Sequence, residues 1–300
     1  MKTAIFAQII AISSVVTSAS DSPTDVVAVD PTPVFSVILD RLEVGGYGPE
    51  MVVVPIGSPK VEDCIAAKDC DETITDIVSS MLPSSFAISR YEITFEHYDR
   101  FCEATGRAKP DDNGWGRASR PVIFVAWKDA LAYVDWLTEQ TGFKYHLPSV
   151  IEWEFAARAG RHTTYWWGVE LETNRANCSD CGSPWSNVQT APVASFPPNP
   201  WGIYDMHGNV GEFTRDCAMK KRRFRLSKKF PVKLNELSSE SKFLTNCEWI
   251  RIKGSSWLST DTPTMLWKSD NKNAYLWERI VAYPERYKSA GKGIRVVREL

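Results

Sequence analysis

Residues 201–212 combine a sharp turn with two carboxylates, and this segment constrains the fold more than any other part of the chain. They read Trp-Gly-Ile-Tyr-Asp-Met-His-Gly-Asn-Val-Gly-Glu. Asp205 and Glu212 are hard oxygen donors, while Gly208 and Asn209 permit a tight turn that exposes carbonyl groups. Calcium prefers such donors, although the twelve-residue EF-hand pattern is not present. The segment predicts either a cation loop or an ordinary polar turn.

Three amphipathic helices are predicted before this loop. The first covers residues 94–106 and the second covers residues 127–142, and each is closed by a glycine. The third begins with a capping box formed by Ser149 and Glu152 and ends at Gly160. The helices place their apolar residues on one face, so each should cover a common core.

Two strands are predicted in the first hundred residues, at residues 51–55 and 86–93. Residues 57–80 between them are polar and predict an irregular loop. After the third helix, turns and short aromatic-rich segments dominate. This order of elements predicts an α+β fold that is rich in loops.

The N-terminus indicates export. Residues 1–19 contain a lysine, a short apolar run and small residues, which is the pattern of a cleaved secretory signal peptide. No later stretch reaches the roughly 18 apolar residues of a membrane-spanning helix. We expect a periplasmic or secreted protein without membrane insertion, with a flexible leader at residues 20–48 and one domain at residues 49–300.

The charge balance argues against nucleic acid as a partner. The formal net charge is −2, whereas a nucleic-acid-binding domain is usually strongly basic. The single basic run, at residues 220–229, predicts either a solvated loop or a contact with an anionic ligand.

Seven cysteines in an exported chain predict disulfide bonds. Cys102 falls on the apolar face of the first helix, where a buried thiol is expected. The other six allow 15 pairings, and a redox dithiol is the alternative for the C-x-x-C sequence. The expected pairs are Cys64 with Cys70, Cys178 with Cys181, and Cys217 with Cys247.

A series of short motifs resembles one known family in content and order. The resemblance extends from about residue 49 to residue 297, which is nearly the whole mature chain. It is to the formylglycine-generating-enzyme-like (sulfatase-modifying factor) family, and it implies a C-type-lectin-like fold tied by disulfides. The motifs are LPSVIEWEFAAR at 147–158, YWWG at 165–168, TAPV at 190–193, FPPN at 196–199, GNV at 208–210, GSSW at 254–257 and GIR at 293–295.

The resemblance implies a structural calcium site on the loop described above. Its ligands would be Asp205, the carbonyl groups of Gly208 and Val210, and Glu212. A second calcium site of the family would begin near Asn177. The segment that follows Asn177 is shortened and carries two cysteines, so the second site is in question.

The chain departs from the family at the residues that carry its chemistry. Formylglycine-generating members bind copper through two cysteines after the Gly-Gly-Ser-Tyr/Trp segment, and Ser259 and Thr264 stand at those positions here. Hydroxyl groups do not replace soft thiolate ligands of Cu(I), so copper is not expected. Gly211 and Phe213 also replace two large aromatic residues of the family.

No other catalytic centre is evident in the sequence. The four histidines, His97, His146, His162 and His207, are not at metal-ligand spacing. Twelve tryptophans are many for this length, and they either fill a loop-rich core or line a groove. Trp185, Trp257 and Ser259 are the candidate groove residues.

Two functions remain for such a chain. The first is an oxidoreductase-like maturation or tailoring factor that modifies a siderophore or a peptide. The second is a non-catalytic lectin-like binding protein that holds a peptide, a glycan or a partner protein in the same groove. The oligomeric state stays open.

Overall fold

The described part of the chain forms a mixed α+β fold with three helices and mostly antiparallel sheets. The computed structural model describes residues 35–54, 85–161, 163–217, 249–259 and 286–300. It also describes residue 82 and the short strands at residues 24–26, 232–233, 267–270, 273–276 and 282–284. The α+β class predicted from the sequence is therefore confirmed.

The helices are α1 (Phe95–Thr105), α2 (Trp127–Thr141) and α3 (Val150–Arg158). The strands before α3 are β1 (Thr24–Val26), β2 (Val37–Asp40), β3 (Met51–Val54), β4 (Phe86–Ser89) and β5 (Tyr145–His146). The strands after α3 are β6 (Gly211–Cys217), β7 (Val232–Lys233), β8 (Trp249–Lys253), β9 (Trp267–Asp270), β10 (Asn273–Leu276), β11 (Ala282–Pro284), β12 (Lys292–Gly293) and β13 (Val297–Glu299).

The largest sheet joins the two ends of the domain. Its strand order is β1-β2-β3-β4-β13-β5, and every neighbouring pair is antiparallel. Val297 of β13 lies opposite Ile88 on one side and His146 on the other. The last strand of the chain therefore holds β4 and β5 together.

A second sheet leads out of the predicted cation loop. Its order is β11-β8-β6-β12, with β12 parallel to β6 and the other pairs antiparallel. The strand β6 begins at Gly211, so residues 205–210 form the turn that enters it. A third sheet has the order β7-β10-β9.

Local capping explains where the helices begin. The Thr94 hydroxyl accepts the His97 N–H at the start of α1. The Ser149 hydroxyl accepts the Glu152 N–H, and the Glu152 carboxylate accepts the Ser149 N–H at 2.6 Å. This capping box is the one predicted from the sequence.

Three boundaries differ from the prediction. The strand expected at residues 86–93 ends at Ser89, after which the chain bends towards α1. The helix α3 ends at Arg158 because Ala159, before Gly160, already takes the left-handed conformation. Residues 37–40 of the predicted flexible leader form β2, which pairs with β3.

The described residues form two large apolar clusters and a small third one around Cys178 and Cys181. The first lies under α1 and α2, where Trp127 is 1% exposed and donates its indole N–H to the Thr214 carbonyl oxygen. The second lies under α3 and includes Trp153 and Trp201. Cys102 belongs to the first cluster, and this confirms the prediction of a buried thiol. Burial raises the pKa of the thiol.

One of the predicted disulfides is confirmed. Cys178 and Cys181 are bonded, and both residues are buried. Cys64, Cys70 and Cys247 lie outside the described residues, so the pairing of Cys64 with Cys70 and of Cys217 with Cys247 stays a prediction. None of the described helices is both long and apolar enough to cross a membrane.

Candidate functional site

The predicted cation loop is a tight turn packed against a second loop. Gly208 has φ +82°, and a Cβ atom on it would lie 2.4 Å from the Asn177 carbonyl oxygen. Asn209 also takes a left-handed conformation, and its N–H donates to the same oxygen at 2.7 Å. The glycine is needed because two backbones touch at this point.

The Glu212 carboxylate lies in a buried ion pair. Glu212 is 1% exposed, and both of its oxygens accept hydrogen bonds from Arg295 Nε at 2.9 Å. The indole N–H of Trp153 donates to the same carboxylate. Arg295 is itself fully buried and also donates to the carbonyl oxygens of Ser89 and Tyr204.

A third carboxylate, which the sequence reasoning missed, completes this charged cluster. Glu92 is 0% exposed and accepts hydrogen bonds from the Asn209 side chain at 2.9 Å and the Val210 N–H at 3.1 Å. It lies 117 residues from Asn209 along the chain, so no local pattern points to it. Of these three carboxylates, Glu212 contacts the Arg295 guanidinium directly, and the positive charge of Arg295 also acts on Glu92 and Asp205.

The pKa values of these carboxylates reflect the low polarity of the site. Burial raises the pKa of Glu92 well above its usual range, and the charges of Asp205 and Glu212 raise it further. Burial also raises the pKa of Glu212 and raises the pKa of Asp205 to about 6. The shifts are upward although Arg295 opposes them, because desolvation disfavours the charged form of each acid.

This donor set fits a hard cation in kind. Carboxylate and carbonyl oxygens are calcium ligands, and a cation would offset the buried negative charge that one guanidinium leaves in excess. A cation bound here would have to share the Glu212 carboxylate with Arg295. Among the described residues, no cationic side chain hydrogen-bonds Asp205, whose Oδ2 accepts the Ala194 N–H at 2.7 Å. Asp205 is therefore the carboxylate most open to a cation.

The predicted groove residues Trp257 and Ser259 lie on one turn beside this loop. The Trp257 N–H donates to the Asn209 carbonyl oxygen at 2.9 Å, and its indole N–H donates to the Ala290 carbonyl oxygen at 3.0 Å. Its ring meets the ring of Trp115 edge-on, with 5.2 Å between centroids. These contacts fix the orientation of a partly exposed indole. Trp115 was not predicted as a groove residue.

Trp185 lies on a neighbouring loop that contacts the Trp257 turn. The Asn187 N–H donates to the Trp257 carbonyl oxygen at 3.0 Å, so the loop that carries Trp185 touches the Trp257 turn. The Trp185 ring packs edge-on against Phe196, with 6.0 Å between centroids. Val188 and Leu258, on the two touching segments, are each 60% exposed. Exposed aliphatic side chains therefore lie on both segments where they touch.

The hydroxyl group of Ser259 is engaged within its own turn. Ser259 Oγ lies 2.8 Å from Ser256 Oγ and accepts the Ser256 N–H at 3.2 Å. Thr264, the other residue at a family cysteine position, lies outside the described residues. The Ser259 hydroxyl group therefore stabilises the turn that carries Trp257.

The histidines do not form a metal centre in the part of the chain that the structure describes. No three or more His, Cys, Asp and Glu side chains converge there as metal ligands. Burial, together with the positive charges of Arg158 and Lys253, lowers the pKa of His207 to about 3. The His207 ring meets Tyr165 and Trp167 edge-on, which makes it a neutral packing residue. His162 lies outside the described residues.

Comparison with known proteins decides the family. The profile of one family, described as "Sulfatase-modifying factor enzyme 1-like domain", matches residues 41–300. The chain belongs to this family. Its fold, its buried Glu212–Arg295 pair and its Trp257 turn are thus features of a sulfatase-modifying factor domain.

Relatives with described names match only part of this domain. The formylglycine-generating enzyme of Mus musculus is 37% identical over 117 residues, which is 36% of this chain and 30% of that protein. The enzyme of that name from Mycobacterium tuberculosis is 40% identical over 107 residues, or 33% of this chain and 34% of that protein. The inactive C-alpha-formylglycine-generating enzyme 2 of Bos taurus is 39% identical over 102 residues, or 31% of this chain and 32% of that protein.

The chain thus matches about a third of the length of these curated relatives. These relatives include two proteins named as formylglycine-generating enzymes and one named as inactive, so a sequence identity of 37–40% does not decide whether a protein is active. Among solved structures, PvdO from Pseudomonas aeruginosa is similar across most of the fold. It is 25% identical with a TM-score of 0.54, covering 84% of this chain and 95% of that one.

The side chains of Ile252 and Lys292 pack closely against Gly211. A Cβ atom on Gly211 would lie 2.9 Å from Ile252 Cγ2 and 3.0 Å from Lys292 Nζ. Burial lowers the pKa of Lys292 to about 8. Phe213, two residues further along the strand, is 1% exposed in the core. The start of β6 thus leaves no room for a larger side chain at position 211.

Proposed function

We propose that this protein is an exported maturation or tailoring factor of the sulfatase-modifying factor family that holds its substrate against the Trp257 turn. The observation that supports this most is the fixation of Trp257 by two hydrogen bonds and by the Trp115 ring. A rigid, partly exposed indole is a typical anchor for ligands because little conformational entropy is lost on binding.

The groove suits a ligand with an apolar or flat part. Trp115, Trp185 and Trp257 offer ring surface, and the rim adds exposed aliphatic groups at Val188 and Leu258. A peptide, a siderophore or a glycan each has such a part. The Ser256 and Ser259 hydroxyl groups satisfy one another, which argues against formylglycine generation through copper at this turn.

The alternative is a non-catalytic, lectin-like binding protein. The packing of the loops against one another, rather than against long helices, supports a C-type-lectin-like arrangement for the domain. In this alternative the same groove binds a ligand and releases it without changing it chemically. Binding and turnover must therefore be measured separately.

Replacing Trp257 by alanine is expected to weaken ligand binding about 30-fold or more, because a buried aromatic anchor contributes about 2 kcal/mol. Isothermal titration of the full mature chain with a hydroxamate siderophore, an unstructured nonapeptide and chitotriose tests three ligand classes. Trp166→Ala is the matched control, since Trp166 contacts Trp167 and belongs to another loop.

The groove assignment is wrong if each probe that binds does so equally well to Trp257→Ala, or if none of the three binds. Mass spectrometry of the bound probe after incubation then separates the two functions. A changed mass supports tailoring, and an unchanged mass supports the lectin-like alternative.

We also propose that calcium binds the loop at Asp205, Gly208, Val210 and Glu212. Removing it with a chelator is expected to lower the melting temperature by about 5 °C or more, because a ligand at 100 times its Kd stabilises by about 2.7 kcal/mol. Calcium, but not magnesium, should restore the value. Differential scanning calorimetry and elemental analysis of the unchelated protein provide the measurement.

Asp205→Asn is the diagnostic variant for calcium. Asparagine keeps an oxygen that accepts the Ala194 N–H but removes the charge. Its melting temperature should no longer respond to chelator. A wild-type protein that contains no calcium and is insensitive to chelator would show that the loop is only a polar turn.

A further inference from the structure

The Cys178–Cys181 turn is connected directly to the proposed binding groove. The Ser179 N–H, inside the turn, donates to the Ser259 carbonyl oxygen at 2.9 Å. The Asn187 side chain donates to the Ser179 carbonyl oxygen at 2.9 Å, and the Asn187 N–H donates to the Trp257 carbonyl oxygen at 3.0 Å. The disulfide-closed turn therefore holds Ser259 directly, through Ser179, and contacts the Trp257 segment indirectly, through Asn187.

The same loop also holds the predicted cation loop. The Asn177 carbonyl oxygen, next to Cys178, accepts the Asn209 N–H at 2.7 Å. Asn177 is itself fixed, because its side chain donates to the Gln189 carbonyl oxygen and accepts the Ser183 hydroxyl. The disulfide thus lies where the groove turn and the cation loop meet.

The disulfide constrains the shape of this turn together with the hydrogen bond from the Asn174 N–H to the Cys181 carbonyl oxygen, at 2.7 Å. The backbone bond inside it, from the Cys181 N–H to the Cys178 carbonyl oxygen, is long at 3.3 Å. A disulfide that closes so short a loop removes little entropy from the unfolded chain, so its loss should leave the domain folded. Its effect should be local and confined to the segments that Ser179 and Asn187 hold.

We propose that reduction of Cys178–Cys181 opens the groove and weakens ligand binding. A dithiol reductant attacks one sulfur, the Sγ–Sγ bond breaks, two electrons and two protons convert the cysteines to thiols, and the reductant becomes a disulfide. Ser179 then leaves its fixed position, and the Trp257 turn loses its anchor. This regulation rests on the proposed function of the groove.

Coupling of this kind acts in both directions. Cys178 and Cys181 are each 2% exposed, so a reductant reaches them only when the loop opens. A ligand that favours the closed groove must oppose reduction by the same factor by which reduction weakens its binding. Slower reduction in the presence of ligand is therefore an expected result.

The test compares the oxidised full chain with Cys178→Ser/Cys181→Ser by hydrogen–deuterium exchange and mass spectrometry. The amides of Ser179 and Asn187 should exchange about tenfold faster in the double variant because their acceptors move away. The Ala130 amide in α2, which donates to the Ala126 carbonyl oxygen, is the internal control and should not change. Wild-type protein in dithiothreitol, with alkylation mapped to Cys178 and Cys181, should match the variant.

Unchanged exchange at Ser179 and Asn187 in the double variant overturns the proposal. Faster exchange with full retention of affinity for a probe that binds the oxidised protein overturns it as well. Faster exchange in a protein that binds none of the three probes overturns the groove function instead, since the exchange measurement needs no ligand.

Discussion

Replacing Arg295 by methionine should lower the free energy of unfolding by about 3 to 5 kcal/mol, as expected when one partner of a buried ion pair is removed. Methionine retains much of the apolar volume but none of the donors. Glu212 would lose its bonds to the guanidinium, and the carbonyl oxygens of Ser89 and Tyr204 would lose a donor. Two further buried carboxylates, Glu92 and Asp205, would lose their compensating charge. Urea unfolding followed by tryptophan fluorescence measures the change.

Lys144→Met is the matched control for this prediction. Lys144 pairs with Glu299 at 2.6 Å, but both side chains are well exposed, so the variant should cost less than about 1 kcal/mol. Adding Glu212→Gln to Arg295→Met should recover part of the loss, because the unpaired buried charge disappears. An Arg295→Met protein as stable as Lys144→Met would show that the buried charges are compensated elsewhere.

Replacing Gly208 by alanine should cost about 3 kcal/mol or more, since it adds a clash with backbone atoms to an unfavourable φ. The new Cβ would lie 2.4 Å from the oxygen and 2.7 Å from the carbon of the Asn177 carbonyl group. Neither neighbour is a flexible side chain that could turn away. The cation loop would therefore separate from the Cys178–Cys181 turn.

Gly106→Ala isolates the conformational part of that cost. Gly106 ends α1 with φ +67°, and a Cβ atom there meets nothing within 4 Å. The control should lose only about 1 kcal/mol, the typical cost of a left-handed alanine. Thermal unfolding of both variants gives the comparison, and equal losses would refute the close approach of Gly208 to Asn177.

The features predicted correctly from the sequence are those with local causes. The capping box of Ser149 and Glu152 involves residues three positions apart, so it can be recognised from the sequence without knowledge of the fold. The same is true of the Cys178–Cys181 bond and of the turn at Gly208 and Asn209.

The roles of Glu92, Arg295 and Trp115 were not predicted. Arg295 is 83 residues from Glu212, and Glu92 is 118 residues from Val210. A charged residue in the sequence is expected at the surface unless a partner is known, and these partners meet only after the sheets assemble. The strand at residues 37–40 was not predicted for a related reason, since these residues form a strand only when β3 is available to pair with them.

The sequence by itself determined the class of fold, the family, the turn chemistry and the helix ends, because backbone conformation and capping depend on neighbours along the chain. Only the tertiary structure decided that Arg295 pairs with Glu212, that Glu92 binds the cation loop at Asn209 and Val210, and that Trp115 packs against Trp257. It also decided that the Cys178–Cys181 turn contacts the Trp257 turn and that its neighbour Asn177 contacts the cation loop. Those features depend on the distances between segments far apart in sequence, which are set by the packing of the whole domain.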